Sequence, residues 1–152
     1  MNRSRAALLA VLLLAAIAAA ACGSTPKTKG ISLSVFHLHP GDCAVTPQAV
    51  KAQLSTLEVV PCQTAHTEEV YALVNDKAGS TYPGTTALQS FANGSCLQRF
   101  AGYVGVDYRD SSLFFTYLLP SVRSWAQGDR TVDCLITTTG QQLTRSVKGT
   151  GI

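Results

Sequence analysis

An α+β fold, a small and mostly antiparallel sheet packed on one main helix and stapled by two disulfides, is what this sequence predicts. Three observations carry that expectation. Short segments with the two-residue apolar alternation of strands lie between turns marked by proline and glycine. One longer stretch, opening at Thr85-Thr86, repeats its apolar residues at helical spacing. Beyond the N-terminal region the cysteines are Cys43, Cys62, Cys96 and Cys134, an even set that can pair.

The 152 residues suit a single domain preceded by an export signal. Arg3 and Arg5 stand ahead of an apolar run from Ala6 to Ala20, the form of a secretory signal peptide. The run lacks the polar face a soluble core helix needs, and it is shorter than the ~20 residues of a membrane span. Ala19-Ala-Ala-Cys22 resembles a bacterial lipobox, with alanine where leucine usually stands three residues before the cysteine. Cys22 is therefore expected to carry lipid and become the mature N-terminus; the alternative is a plain secreted protein in which Cys22 is lost or spare. The expected division is a signal peptide over 1–21, the lipidated cysteine and a flexible linker over 22–30, and one folded domain over 31–152. Five cysteines make an odd count, and assigning Cys22 to lipid leaves four in an oxidising compartment, where disulfides persist.

The net charge of +3 belongs to the ends of the chain. Removing Arg3 and Arg5 with the signal leaves 10 basic against 9 acidic side chains; setting aside Lys27 and Lys29 in the linker leaves 8 against 9. A basic face is absent from that balance, so no nucleic-acid partner is expected. The linker, Gly23 to Gly30, has no apolar residue and reads as a tether, its lysines adding attraction to anionic headgroups.

Taken in order, Ile31, Leu33 and Val35 alternate with Ser32 and Ser34 as a half-buried strand, ended by Pro40-Gly41-Asp42 with Cys43 at the turn. Val45 to Ser55 is mixed, a loop or short helix. Leu57 to Val60 predicts a second strand closed by Pro61-Cys62, and Glu68 to Val74 a third, broken by Asn75 to Gly79. Thr85 or Thr86 caps the helix, whose Leu88, Phe91, Ala92, Cys96, Phe100 and Tyr103 share a face. Asn93-Gly94 weakens its middle by about 1 kcal/mol relative to alanine, which leaves a kink or two short helices as alternatives. Leu113 to Leu119 is apolar on both faces and predicts a central strand. From Leu119 a stretch holding Trp125 and the Gly128-Asp129 turn feeds the strand Thr131 to Thr138, with Val132, Cys134 and Ile136 on one face. Leu143 to Gly149 predicts a short final strand. Cys96 on the helix face and Cys134 on a strand face are placed to meet, and Cys43 and Cys62 beside turns favour a local bridge; the other two pairings of four cysteines stay open.

Sites for chemistry are sparse. His37 and His39, two apart in a strand, would point the same way and hold one ion, with Asp42 near; a strand-end surface explains them better and no metal is expected. His66 and Glu69 are three apart, which in a strand places them on opposite sides, so His66 is read as orienting the strand entry. Asp107 and Asp110 flank a polar turn, and Asn93-Gly-Ser95 has the glycosylation pattern inside a helix. The chain carries none of the GxSxG, HExxH, P-loop or GxGxxG motifs, its one SxxK match (Ser24-Thr-Pro-Lys27) lies in the linker, and three histidines without a partner pattern give nucleophilic catalysis no footing. No enzyme activity and no cofactor are expected. Trp125 with Arg123 and Arg130 is a candidate partner surface, set against a structural reading in which Trp125 plugs the core. Phe114, Phe115 and Tyr117 are either core or the lining of a ligand pocket between helix and sheet.

An ordered set of residues resembles a known pattern. Val35-Phe36, Gly41-Asp42-Cys43, Val60-Pro-Cys62, His66 with Glu69-Val70-Tyr71, Cys96, Leu119-Pro-Ser121, Trp125, Gly128-Asp129-Arg130, Val132, Cys134 and Leu143-Thr144 are similar to the septum formation domain of actinobacterial envelope proteins, often lipoproteins. The likeness runs from about Val35 to Lys148. The family often has an Asp-Leu-Lys type sequence before Gly-Asp-Cys, where this chain has His37-Leu-His39, and proline before the histidine, where it has Ala65. The resemblance implies a link to septum formation in cell division and no chemistry. The function expected is that of a lipid-anchored extracytoplasmic domain on the outer face of the cell membrane, contacting an envelope or division protein; the alternative is a carrier or sensor of an envelope ligand.

Overall fold

The computed structural model describes residues 29–47 and 54–152. The signal peptide, Cys22, most of the linker and the middle of the mixed segment Val45–Ser55 lie outside the described residues. Six antiparallel strands form one sheet: β1 (Ile31–Ser34), β2 (Cys43–Val45), β3 (Thr56–Val60), β4 (Glu68–Asn75), β5 (Phe114–Leu118) and β6 (Thr131–Thr137), in the spatial order β1-β3-β2-β4-β6-β5. One long helix, α1 (Thr85–Val104), crosses one face, and a single turn of helix, α2 (Val122–Ala126), joins β5 to β6. Among the described residues no helix is long and apolar enough to cross a membrane.

Helix α1 buries Leu88, Ala92, Cys96 and Phe100, each four residues from the last, then Tyr103 and Val104. That is the stripe the spacing predicts. Opposite it, Val132, Cys134 and Ile136 of β6 join Tyr71, Ala72 and Val74 of β4. The Cys96–Cys134 disulfide crosses this core, and Cys43–Cys62 ties β2 to the end of β3, the two pairings the element positions favour. Neither threonine caps α1: Gly84 stands at the N-cap with φ +92° and supplies no side chain. The helix also runs unbroken through Asn93-Gly94, because Ala92 and Cys96 on either side are fully buried and the core holds both half-turns together. It ends at Gly105, left-handed at φ +93°, whose N–H reaches the Ala101 carbonyl.

A second core lies on the face away from α1. Leu38, Ala44, Leu57, Val70 and Leu135 are buried there, with Leu33, Val35, Leu54 and Leu118 packed around them. This second layer corrects the expectation that Leu113–Leu119 forms a central strand. β5 is an edge strand, paired only with β6, and Phe114 is largely exposed. Its apolar residues on both faces reflect two separate packings: Phe115 and Tyr117 sit against the α1 core, Leu118 against the second. The strands buried on both sides are β4 and β6.

Two further expectations change. Val35 belongs to a 3₁₀ turn, Val35–His37, that follows β1, so the segment carrying His37 and His39 is not strand. Leu143–Gly149 forms no strand; Leu143 makes an isolated bridge to His66, and the rest is held by side chains and by the end of α1. Gly149 and Gly151 donate to the carbonyls of Tyr103 and Val104, groups a helix C-terminus leaves without partners.

Candidate functional site

Two places gather polar side chains that the sequence leaves apart. The first is buried under α1. Cys43 of β2 pairs in register with Glu69 of β4, and His66 enters just before that strand. Donor atoms of Cys43, His66 and Glu69 all lie within 4.8 Å of one another. The expected separation of His66 from Glu69 is thus corrected: His66 precedes the regular pleat of β4, so the alternation of sides does not reach it.

This trio does not fit a metal. The Cys43 sulfur is joined to Cys62 and offers no thiolate. The Glu69 carboxylate is already filled: Tyr103 and Ser146 hydroxyls donate to Oε1, each at 2.6 Å, and the Val147 N–H donates to Oε2 at 2.8 Å. Buried among those donors, Glu69 fastens the C-terminal segment and α1 to the sheet. Burial, then the neighbouring Glu69, pushes the Tyr103 phenol well above its usual range, so it stays a donor. The His66 Nδ1 lies 2.7 Å from the Thr64 carbonyl, an acceptor only, which makes Nδ1–H the donor and leaves Nε2 without a partner among the described residues. The cluster is structural.

The remaining sequence candidates separate. His39 is exposed, with Nδ1 4.0 Å from the Asp42 carboxylate, while Leu38 between the two histidines is buried. Asp107 accepts from the Arg109 N–H and caps a 3₁₀ turn, Tyr108–Asp110. Trp125 is 2% exposed. Its indole N–H donates to the Ser80 carbonyl at 3.0 Å, Tyr82 meets it edge-on, and the Arg130 guanidinium lies 3.9 Å over the ring. Arg130 is spent further on the Trp125 and Asp129 carbonyls, both at 2.7 Å. Of the three residues of the candidate partner surface, Arg123 alone is exposed.

The second place is open. On the face away from α1 a cleft of about 460 Å³ lies between the 3₁₀ turn after β1 and the β5–α2 connection. Val35, Leu38 and Leu54 form one wall, Leu118 and Pro120 the other, and Leu73 part of the floor. Arg123 stands at its rim on α2, which is started by a reciprocal cap: Ser121 Oγ accepts from the Ser124 N–H, and Ser124 Oγ accepts from the Ser121 N–H. Of the two readings of the aromatic strand, core holds for Phe115 and Tyr117, which pack with Phe100 and Tyr103 between helix and sheet and leave no pocket there among the described residues, while Phe114 is exposed.

Asp133 lies in the floor of this cleft, 7% exposed. Burial first, and the nearby Asp129 second, push its carboxyl up to about 7. Sequence reasoning passed over it. The signal was present: with Val132, Cys134 and Ile136 facing α1, Asp133 and Leu135 must face the other way, and a leucine there announces a second covered face.

Residues 40–151 match the family model for septum formation. The protein named lipoprotein LppN in Mycobacterium tuberculosis (strain ATCC 25618 / H37Rv) is 31% identical to this chain over 117 residues, 74% of this chain and 63% of that protein. The protein of the same name in Mycobacterium bovis (strain ATCC BAA-935 / AF2122/97) matches to the same extent. This chain therefore spans somewhat less than two thirds of the length of those relatives. No solved structure matches it.

Proposed function

The chain belongs to the septum formation family, and from that premise we propose that it is a non-enzymatic, lipid-anchored domain on the outer face of the cell membrane that engages an envelope or division protein during septum formation. The anchor is the lipid on Cys22, supported by the lipobox-like sequence and by the lipoprotein name of the relatives. The observation that carries the contact role is the open sheet face. There the cleft, lined by apolar and polar side chains in equal number, holds exposed Phe36 and has exposed Val122 beside it, whereas helix and sheet under α1 are joined by core. An exposed apolar patch with a polar rim marks a contact site more often than scattered apolar residues do. The partner surface is accordingly placed around Arg123 and the cleft, with Trp125 and Arg130 holding α2 from behind.

The test is in dividing cells. A photo-crosslinker at Phe36 should trap a partner that one at Leu97, exposed on α1, does not, and a fluorescent fusion should concentrate at septa. Uniform fluorescence together with normal septa after deletion would remove the division role. A second reading, a carrier or sensor of an envelope ligand, is favoured by the cleft volume, which lies within the about 300–1,000 Å³ common for ligand sites.

A further inference from the structure

The cleft contains a carboxylate that the described residues leave unpaired. Asp133 sits in the middle of β6, with Leu73 opposite it on β4 and Leu118 opposite it on β5. Both leucines line the cleft. Among the described residues no hydrogen-bond donor or cation pairs with the Asp133 carboxylate, although most of its surface is buried. Asp129, the neighbouring acid, is committed: its Oδ1 accepts from the Thr131 N–H at 2.9 Å. A carboxylate without a partner in an apolar wall is costly to keep ionised, and structural acids are ordinarily hydrogen-bonded, as Glu69 is in this same sheet. Asp133 faces a space large enough for a ligand to supply what the described residues do not.

Resting on the ligand-binding reading of the cleft, we infer that it takes a small amphiphile with a primary ammonium group, the ammonium on Asp133 and the chain along Val35, Leu38, Leu54 and Leu118. Among the described residues the charged groups lining the cleft are Arg123, Asp129 and Asp133, one negative in balance, with the positive one exposed at the rim. A cation is complementary to the floor and an anion is not. An ionised carboxylate only accepts hydrogen bonds, so a primary ammonium, with three donors, suits it better than a quaternary one, which has none. The volume of about 460 Å³ holds roughly 15 water-sized groups, ample for an octyl chain and its nitrogen.

Octylamine is the probe, compared with octyltrimethylammonium, octanol and octanoate by calorimetric titration of the purified domain and by NMR shifts of Leu73, Leu118 and Asp133. Octylamine should bind about tenfold or more tighter than the other three at pH 8. Its affinity should fall as the pH drops below about 7, where the Asp133 carboxyl takes up a proton and loses its attraction for the cation. D133N should abolish the preference among head groups, and L73W, which fills the floor, should weaken all four ligands. Octanoate or octyltrimethylammonium binding as tightly as octylamine, a preference that survives D133N, or no saturable binding of octylamine would each overturn the inference. The Phe36 crosslink in cells reads the contact role independently, so the two fail separately.

Discussion

Asp133 is the residue whose environment most directly sets a measurable property. Its folded carboxyl is pushed up to about 7, above its ordinary 3.8, by burial and then by Asp129. Between those values the native state holds a proton that the unfolded state has lost. The group's contribution to stability is therefore present below about pH 4 and is lost as the pH rises through about 7. D133N removes the ionisation while keeping the shape, so its melting temperature should exceed that of the wild type at pH 8, by an amount equivalent to about 2–4 kcal/mol, and approach it near pH 4. Thermal scans of both proteins from pH 4 to pH 8 check this; parallel curves would show that Asp133 does not titrate differently on folding. Trp125 acts by volume instead. Packed against Tyr82 and capped by Arg130, it should cost about 3–5 kcal/mol as W125A, a fall of roughly 10–20 °C in melting temperature. An unchanged melting temperature would return Trp125 to the role of a contact residue.

Among the elements, α1 and β6 form the pair on which the rest depends, joined by a fully buried disulfide that closes 38 residues. The loop-entropy relation assigns it about 4 kcal/mol, against about 3 kcal/mol for Cys43–Cys62, which closes 19. Replacing Cys96 and Cys134 together by serine should lower the denaturation midpoint more than replacing Cys43 and Cys62, and urea titration of the two double variants gives the order. The longer elements were legible because their periods repeat. α1 shows its stripe over five turns, and β3, β4 and β6 show uninterrupted runs or alternation. β2 and α2 leave no such mark, because three and five residues are too few to display a period. The capping box that starts α2 is written Ser-Val-Arg-Ser, whose last serine stands where glutamate or glutamine is the usual signal. Continuous apolarity in β5 predicts a central strand, but it records contact with two different cores at an edge.

For the whole molecule, the decisive arrangement is a sheet that α1 covers over β4, β5 and β6 on one face and that opens as a cleft on the other. Lipid anchoring through Cys22 would keep the domain within a linker's length of the membrane. C22S should move the protein from the membrane fraction to the soluble extracytoplasmic fraction on cell fractionation; retention in the membrane would sink the anchor. The α+β class, the covered face of α1, the even set of cysteines and the family pattern were all determined by sequence alone, since local periodicity and cysteine arithmetic need no knowledge of strand order. Tertiary structure decided the rest. The cleft exists because the segments around Val35 and Leu118, more than eighty residues apart in sequence, stand on either side of β4 and β6. The same strand order turns Asp133 from a polar interruption in β6 into the buried floor of a site, and gathers His66, Glu69, Tyr103 and Ser146 into one structural knot. Those juxtapositions depend on which strands become neighbours, a long-range choice that no local pattern encodes.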